Sequence, residues 1–267
     1  MTTTEQDSHF SDLEKMSARE ILCGINNEDS TVPFAVGKAL PDIERMVDGI
    51  VERGGRIFYM GAGTSGRLGV VDASEIPPTY GLRDKFIGII AGGDGAFRNA
   101  VEGAEDNARQ GVDDLMSFSP TPADTLVGIS ASGGAPYVVA AIRKARELGM
   151  LTGGICCNPD CELVRICEIP MVAVVGPEFV TGSTRMKSGT ATKLILNMIS
   201  TSVMILTGHV QGNKMVDMQL TNRKLVDRGA RMIMEKTGIT DYDRARTLLL
   251  KHGSVRVAVD AFNASGE

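Results

Sequence analysis

Residues 56–66 read RIFYMGAGTSG: an apolar run passes directly into a turn of three glycines and two hydroxyls. Residues 125–136, TLVGISASGGAP, follow the same plan. Further apolar runs at Phe86–Ala91, Leu151–Cys157 and Met171–Val175 end in Gly92-Gly93, Asn158-Pro159 and Gly176-Pro177. With Arg56–Met60 and Thr125–Ile129 they predict five strands separated by helical patterns. Continuous apolar strands between helices are buried on both faces, which predicts an α/β chain with a mainly parallel sheet in a three-layer αβα sandwich. In such sheets ligands bind beyond the carboxyl ends of the strands, where the Gly/Ser-rich turns fall.

Outside this unit, helical spacing covers roughly Asp12–Asn26 and Val32–Arg53. A long helix is predicted from after Gly182 to about Thr207, opened by Ser183-Thr184, then two or three helices from Asp217 to Phe262 punctuated by Gly229, Gly238 and Gly253. The expected organisation is a helical segment over 1–54, the sheet domain over 55–215 and a small helical region over 216–267.

The chain has 267 residues, 43% of them hydrophobic, enough for a sizeable core. A net charge of −5 and no basic stripe argue against a nucleic-acid partner. The polar, acidic start is unlike a signal peptide, and the most apolar run, Leu194–Leu206, is too short to span a bilayer. A cytoplasmic protein without membrane partners is expected. Five cysteines without a C-x-x-C pair, and three scattered histidines, predict buried thiols rather than a metal site.

Gly61–Gly66 fits an anion site: glycines allow close approach, and Thr64, Ser65 and the first amides of the next helix, up to Gly66, can face an oxyanion. It also reads G-x-G-x-x-G, but Ala91-Gly92-Gly93 stands where a dinucleotide fold carries an acidic residue, and there is no Walker lysine. Ser130, Ser132 and Gly133 form a second such turn. Either turn alone is equally an ordinary strand-to-helix connection; both together suggest a phosphate held from two sides. A third candidate is Ser183–Lys187, where Arg185 and Lys187 oppose a helix dipole unless an anion or solvent compensates. Among carboxylates, Phe97, Ala100, Val101 and Ala104 predict a helical stripe with Glu105 on its border and Glu102 further round. Glu75 precedes Pro77-Pro78, which predicts a stiff stretch away from helix.

GAGTSGRLGVVDASEIPPTYG, IAGGDGAFRNAVEGAED, GISASGGAPYVVAA, VVGPEFVTGSTRMKSGTATKLILNMIST and GNKMVDMQLTNRKLVDR together resemble the N-acetylmuramic acid 6-phosphate etherase family of the sugar isomerase (SIS) fold group, over residues 4 to 260. The resemblance implies cofactor-free removal of D-lactate from the sugar's 3-position ether, by elimination and then hydration. It implies catalysis by Glu75 and Glu105, phosphate binding by Thr64, Ser65 and Ser132, and sugar contacts from Glu102, Ser183 and Arg185. It also implies a homodimer with the site near its interface. Gly134 and Ala135 stand where many members carry Arg-Thr, with Ser130 as a compensating hydroxyl. The glucokinase regulatory protein shares some of these motifs, which leaves a non-catalytic sugar-phosphate sensor as the alternative.

Overall fold

The computed structural model describes residues 2–265. Two single 3-10 turns, Thr3–Glu5 and Leu13–Lys15, precede α1 (Ala18–Asp29). Ser17 and Glu20 form a capping box, so this helix starts at Ala18 and not at Asp12. The helix expected over 32–53 is two: α2 (Val32–Gly37) and α3 (Leu40–Arg53). Pro41 lies in the first turn of α3, where its missing N–H breaks no ladder bond, and it cannot continue a helix from α2.

The sheet elements follow: β1 (Ile57–Gly61), α4 (Gly63–Ser74), α5 (Ile76–Tyr80), β2 (Phe86–Ile90), α6 (Gly95–Arg98), α7 (Ala108–Met116), β3 (Thr125–Ile129), α8 (Pro136–Glu147), β4 (Leu151–Cys156), α9 (Glu162–Ile166), β5 (Ile169–Val172) and α10 (Lys187–Leu206). A two-residue hairpin, β6 (Val210–Gln211) and β7 (Lys214–Met215), leads to α11 (Arg223–Thr237), α12 (Tyr242–His252) and α13 (Val255–Ser265). By internal contacts the chain forms two units. One takes the chain up to Ser74 with Phe86–Thr201; the other takes Glu75–Lys85 with the chain from Ser202 onward. The leading helices fall in the same unit as the sheet, and residues 202–215 fall with the helices that follow them.

In the first unit five parallel strands stand in the order β2-β1-β3-β4-β5. Tyr59, Val127 and Gly153 share one row and one face. On that face Gly69 of α4 lies against Tyr59, and Met46 of α3 lies where a side chain on Gly153 would be. On the other face Val138 and Ile142 of α8 fill the space over Gly128, and Leu163 of α9 covers Gly154. Glycines in the strands thus set the distance between layers. Phe58, Met60, Leu126, Tyr137 and Ile142 are fully buried in this core.

Helix α10 is long and apolar enough to cross a membrane by length and composition, unlike the shorter run from Leu194. One face of it is buried in the core: Ala191, Ile195, Leu196 and Ile199 have no exposed surface.

In the second unit, α11, α12 and α13 pack around Met232, Ile233, Ala245, Leu249 and Ala258. Gly238 and Gly253 end helices in the left-handed region, as expected, but Gly229 lies inside α11 and lets Leu249 approach its backbone. Pro77 and Pro78 do not hold their segment extended: they lie in the opening of α5, where the helix needs no donor from them. Asp217 bridges Arg256 and His209; burial raises its pKa, and those two partners outweigh that and leave it lowered.

Candidate active site

The carboxyl ends of β1 and β3 open into a cavity of about 330 Å³. Its walls include Thr64 and Ser65 from the start of α4, Ser130 and Ser132 after β3, and Ser188 and Thr192 of α10. Glu105 also faces it.

The first turn is shaped by backbone contact. A Cβ on Gly61 would stand 2.7 Å from the Gly66 nitrogen, and one on Gly66 would stand 2.5 Å from the Gly61 carbonyl oxygen. Gly63 takes φ of 54°, a left-handed conformation suited to glycine. The Gly66 amide donates to the Ala62 carbonyl, so Gly66 serves strand-to-helix packing; Thr64 and Ser65 carry the polar surface. The opening amides of α4 have no acceptor within the helix and give this wall a partial positive charge.

The second turn is shaped by side chains. Ser130 Oγ accepts from the Gly133 amide (3.1 Å) and lies 3.3 Å from Ser132 Oγ, which accepts from the Gly134 amide (3.3 Å). Gly133 is enclosed with φ of 73°, and a Cβ there would stand 2.0 Å from Cys161 Sγ. Its contribution is shape, since its amide and carbonyl are both used within the chain. Beneath it Cys161 Sγ lies 3.6 Å from Cys156 Sγ, among four buried free thiols. The hydrogen bond shared between these thiols and the amides at the start of α9 lower the Cys161 pKa, outweighing burial. The same bond and burial push Cys156 up.

The start of α10 differs from the expectation. Ser183 and Thr184 lie in a turn, and the helix opens at Lys187. Glu178, 1% exposed, caps it: its carboxylate accepts from the amides of Lys187 (2.7 Å) and Ser188 (3.0 Å) and from Ser188 Oγ (2.8 Å). The negative charge that answers the dipole here is Glu178, not a ligand. Lys187 is buried and pairs with Glu28. Burial raises the Glu28 pKa, but the bonds from His9 and Lys187 outweigh it and the pKa is lowered. Sequence reasoning missed Glu28 because its partner Lys187 is distant in the chain, and Glu178 because a Glu nine residues before a helix gives no local signal.

Glu105 is not on a helical stripe. Helix α6 stops at Arg98, Asn99 is extended, and Gly103 turns through φ of 68°. Phe97 and Val101 are exposed rather than buried. Glu105 stands on a single 3-10 turn, Ala104–Asp106, on a wall shared with a second cavity lined by Arg67, Ala91 and Ala96. Arg67 holds the preceding loop by donating to the carbonyls of Ala96 and Phe97. The Glu105 carboxylate has no hydrogen bond or ion pair among the described residues. Glu102 faces a neighbouring hollow lined by Gly92, Gly93 and Asp114. Of residues 183–187, Thr184 lines the main cavity, whereas Ser183 and the exposed Arg185 do not. Glu75 is exposed at the start of α5, in the second unit.

A parallel sheet with hydroxyl-rich turns at its carboxyl edge defines the class: a SIS-type α/β domain. A family described as the glucokinase regulatory protein N-terminal SIS domain matches residues 41–146. Solved structures share the fold. A putative phosphosugar isomerase involved in capsule formation, from Bacteroides fragilis, superposes with TM-score 0.53 at 21% identity, over 72% of this chain and 92% of that one. A phosphoheptose isomerase from Francisella tularensis gives 0.51 at 18%, over 70% and 100%. Full-length relatives are far more similar. N-acetylmuramic acid 6-phosphate etherase of Bacteroides fragilis is 59% identical, covering 98% of this chain and 94% of the relative. That of Porphyromonas gingivalis is 58% identical over 97% and 95%. The chain belongs to the N-acetylmuramic acid 6-phosphate etherase family.

Proposed function

We propose that the chain is an enzyme acting on N-acetylmuramic acid 6-phosphate, cleaving its D-lactyl ether to N-acetylglucosamine 6-phosphate and D-lactate as a carbon–oxygen lyase in cell-wall amino-sugar catabolism. The observation that carries this is the join of family membership with a cavity that sets Glu105 among Thr64, Ser65, Ser130 and Ser132.

An alkyl ether is a poor target for a nucleophile, and elimination is easier. In the open-chain sugar the carbon 1 aldehyde acidifies the carbon 2 proton. Glu105 takes that proton; the electron pair forms the carbon 2–carbon 3 double bond as the carbon 3–oxygen bond breaks. Glu75 gives the departing lactate oxygen its proton, then takes one from water as that water adds to carbon 3, and carbon 2 regains a proton. Two carboxylates alternating as acid and base suffice for this sequence. Glu75 is assigned through the motif DASEIPP, Glu105 through VEGAED and its place on the cavity wall. Glu102, Ser183 and Arg185 remain assigned to the sugar by the resemblance alone. The enzyme acts as a homodimer in the cytoplasm on this reading.

Reaction in oxygen-18 water tests it: label is expected in the sugar's carbon 3 hydroxyl and not in lactate. Label in lactate would mean attack on the lactyl side and overturn the elimination. The match to a regulator's domain over residues 41–146 favours one alternative, a sugar-phosphate sensor. Binding without any lactate release would establish it.

A further inference from the structure

One more charged side chain faces the cavity, Glu5. It is carried on a leading strap fastened on both sides. Thr3 Oγ1 lies 2.6 Å from the Asn158 side-chain oxygen and 2.9 Å from the Cys157 carbonyl, its one proton shared between the two acceptors. The Thr4 amide donates to the same Asn158 oxygen (3.3 Å), and Asn158 Nδ2 donates back to Thr4 Oγ1 (3.0 Å). Beyond Glu5, the Ser8 amide donates to Thr181 Oγ1 (2.9 Å) and Ser8 Oγ to the Phe179 carbonyl (2.8 Å). Thr4 and Asn158 are buried, at 0% and 2% exposure. Asn158 Nδ2 also reaches the Ser132 carbonyl (3.1 Å), tying the strap to the second hydroxyl turn.

Between these anchors the Glu5 carboxylate is left over. It makes no hydrogen bond or ion pair among the described residues, and its Oε2 lies 3.6 Å from where a Cβ on Gly182 would stand, on the cavity wall. Tight fastening of the backbone with an unspent charge at its centre is what a ligand contact requires. A carboxylate repels a phosphate, so Glu5 does not extend the phosphate cradle. It suits the uncharged donors of a sugar, hydroxyl or N-acetyl N–H, and charge repulsion then orients the ligand with its phosphate toward Thr64, Ser65 and Ser132.

We infer that Glu5 is a substrate-contacting residue that accepts hydrogen bonds from the sugar portion of the ligand, and that Asn158 is the positioning residue that holds it there. This rests on the proposed function. The test measures binding of N-acetylglucosamine 6-phosphate and of inorganic phosphate to the full chain. Glu5→Ala is expected to weaken the sugar phosphate about ten-fold or more, the worth of a hydrogen bond to a charged group, and to leave inorganic phosphate unchanged or tighter. Glu5→Gln, which keeps one acceptor, is expected to fall between. In the lactate assay Glu5→Ala raises KM more than it lowers kcat. Asn158→Ala is expected to weaken the sugar phosphate more than inorganic phosphate, whose turn it reaches through the Ser132 carbonyl rather than through a hydroxyl, and adding it to Glu5→Ala costs the sugar contact little more. Wild-type affinity in Glu5→Ala, or equal losses for both ligands, would overturn the inference and leave the proposed function standing. A fully additive double variant would remove Asn158 from it. A wild-type protein that binds phosphate but not the sugar phosphate would take down both readings.

Discussion

The two ends of the first unit's sheet are built on opposite terms. At the amino ends of β1 and β3 every oxygen of Asp124 is spent: it accepts from the Arg56 amide (2.8 Å), Arg56 Nε and Nη2 and the Thr121 amide (2.8 Å). Gly55 lies so close to Ala123 that a Cβ would stand 2.1 Å from its carbonyl oxygen. At the carboxyl ends Glu105 and Glu5 have no partner among the described residues, and one hydroxyl of the Ser130–Ser132 pair is left free to donate. Buried polar groups left unpaired are costly, so saturation marks the end that holds the fold. On the proposed function, exposed, unspent groups on a fastened backbone mark the end that would hold a ligand.

Removing one carboxylate at each end is the strongest way to break this contrast. Glu105→Gln is expected to slow lactate release about 10²–10⁴-fold, the range for loss of a general base, with the thermal midpoint unchanged. Loss of stability with activity intact would reverse the reading of that wall. Asp124→Ala is expected to do the opposite. It leaves the largely buried Arg56 pairing broken and costs roughly 3 kcal/mol in denaturant unfolding, with little effect on KM.

A smaller effect follows from acid. Burial raises the Asp124 carboxyl, but the bonds from Arg56 and Thr121 outweigh it and hold it at about 2, below its ordinary 3.8. The folded pKa is depressed, so the stability it contributes is complete above about pH 4 and is lost as pH falls through 2. That difference is worth about 2 kcal/mol. Unfolding followed from pH 5 to pH 2 is expected to show a shallower loss in Asp124→Asn than in the wild type. Equal slopes would mean that other carboxylates set the acid limit.

The same contrast governs what could be read in the sequence. Thr125–Ile129 is the third strand to the residue, because its apolar run stops at a glycine-serine turn and nothing distant alters it. The hydroxyl turns were legible for the same reason, being local signals at strand ends. Glu105 was legible as a residue but not as a structure: Phe97, Ala100, Val101 and Ala104 have helical spacing, yet Gly103 takes a left-handed turn and Asn99 is extended. Spacing cannot register that break. Lys187 with Glu28, and Thr3 and Thr4 with Asn158, were invisible because each pairing joins distant parts of the chain, and Glu178 because it caps a helix from outside the usual capping position. Glu5 in particular lies in a polar stretch with no periodicity, and its place depends on an asparagine at the end of the fourth strand.

The finest comparison lies within the binding end, between Ser65 and Ser132. Ser65 sits on the first turn of α4, where backbone amides also face the cavity and the glycine contacts of Gly61 and Gly66 hold the shape. Removing its hydroxyl deletes one donor and leaves the rest of that wall intact. Ser132 donates from a turn that its own side chain helps to build, through Ser130 Oγ and the Gly134 amide. On the proposed function, Ser132→Ala therefore removes a ligand donor as well as a bond that orders the turn. A hydrogen bond to a charged group is worth about 1.5–3 kcal/mol, so each variant is expected to weaken inorganic phosphate by roughly ten-fold or more, with Ser132→Ala the weaker binder. A Ser65→Ala variant that binds like the wild type, beside a crippled Ser132→Ala, would remove Ser65 from the grip and leave the first turn to Thr64 and its backbone. Equal losses would show that Ser130 alone keeps the second turn in shape, since the ordering bond of Ser132 would then contribute nothing measurable.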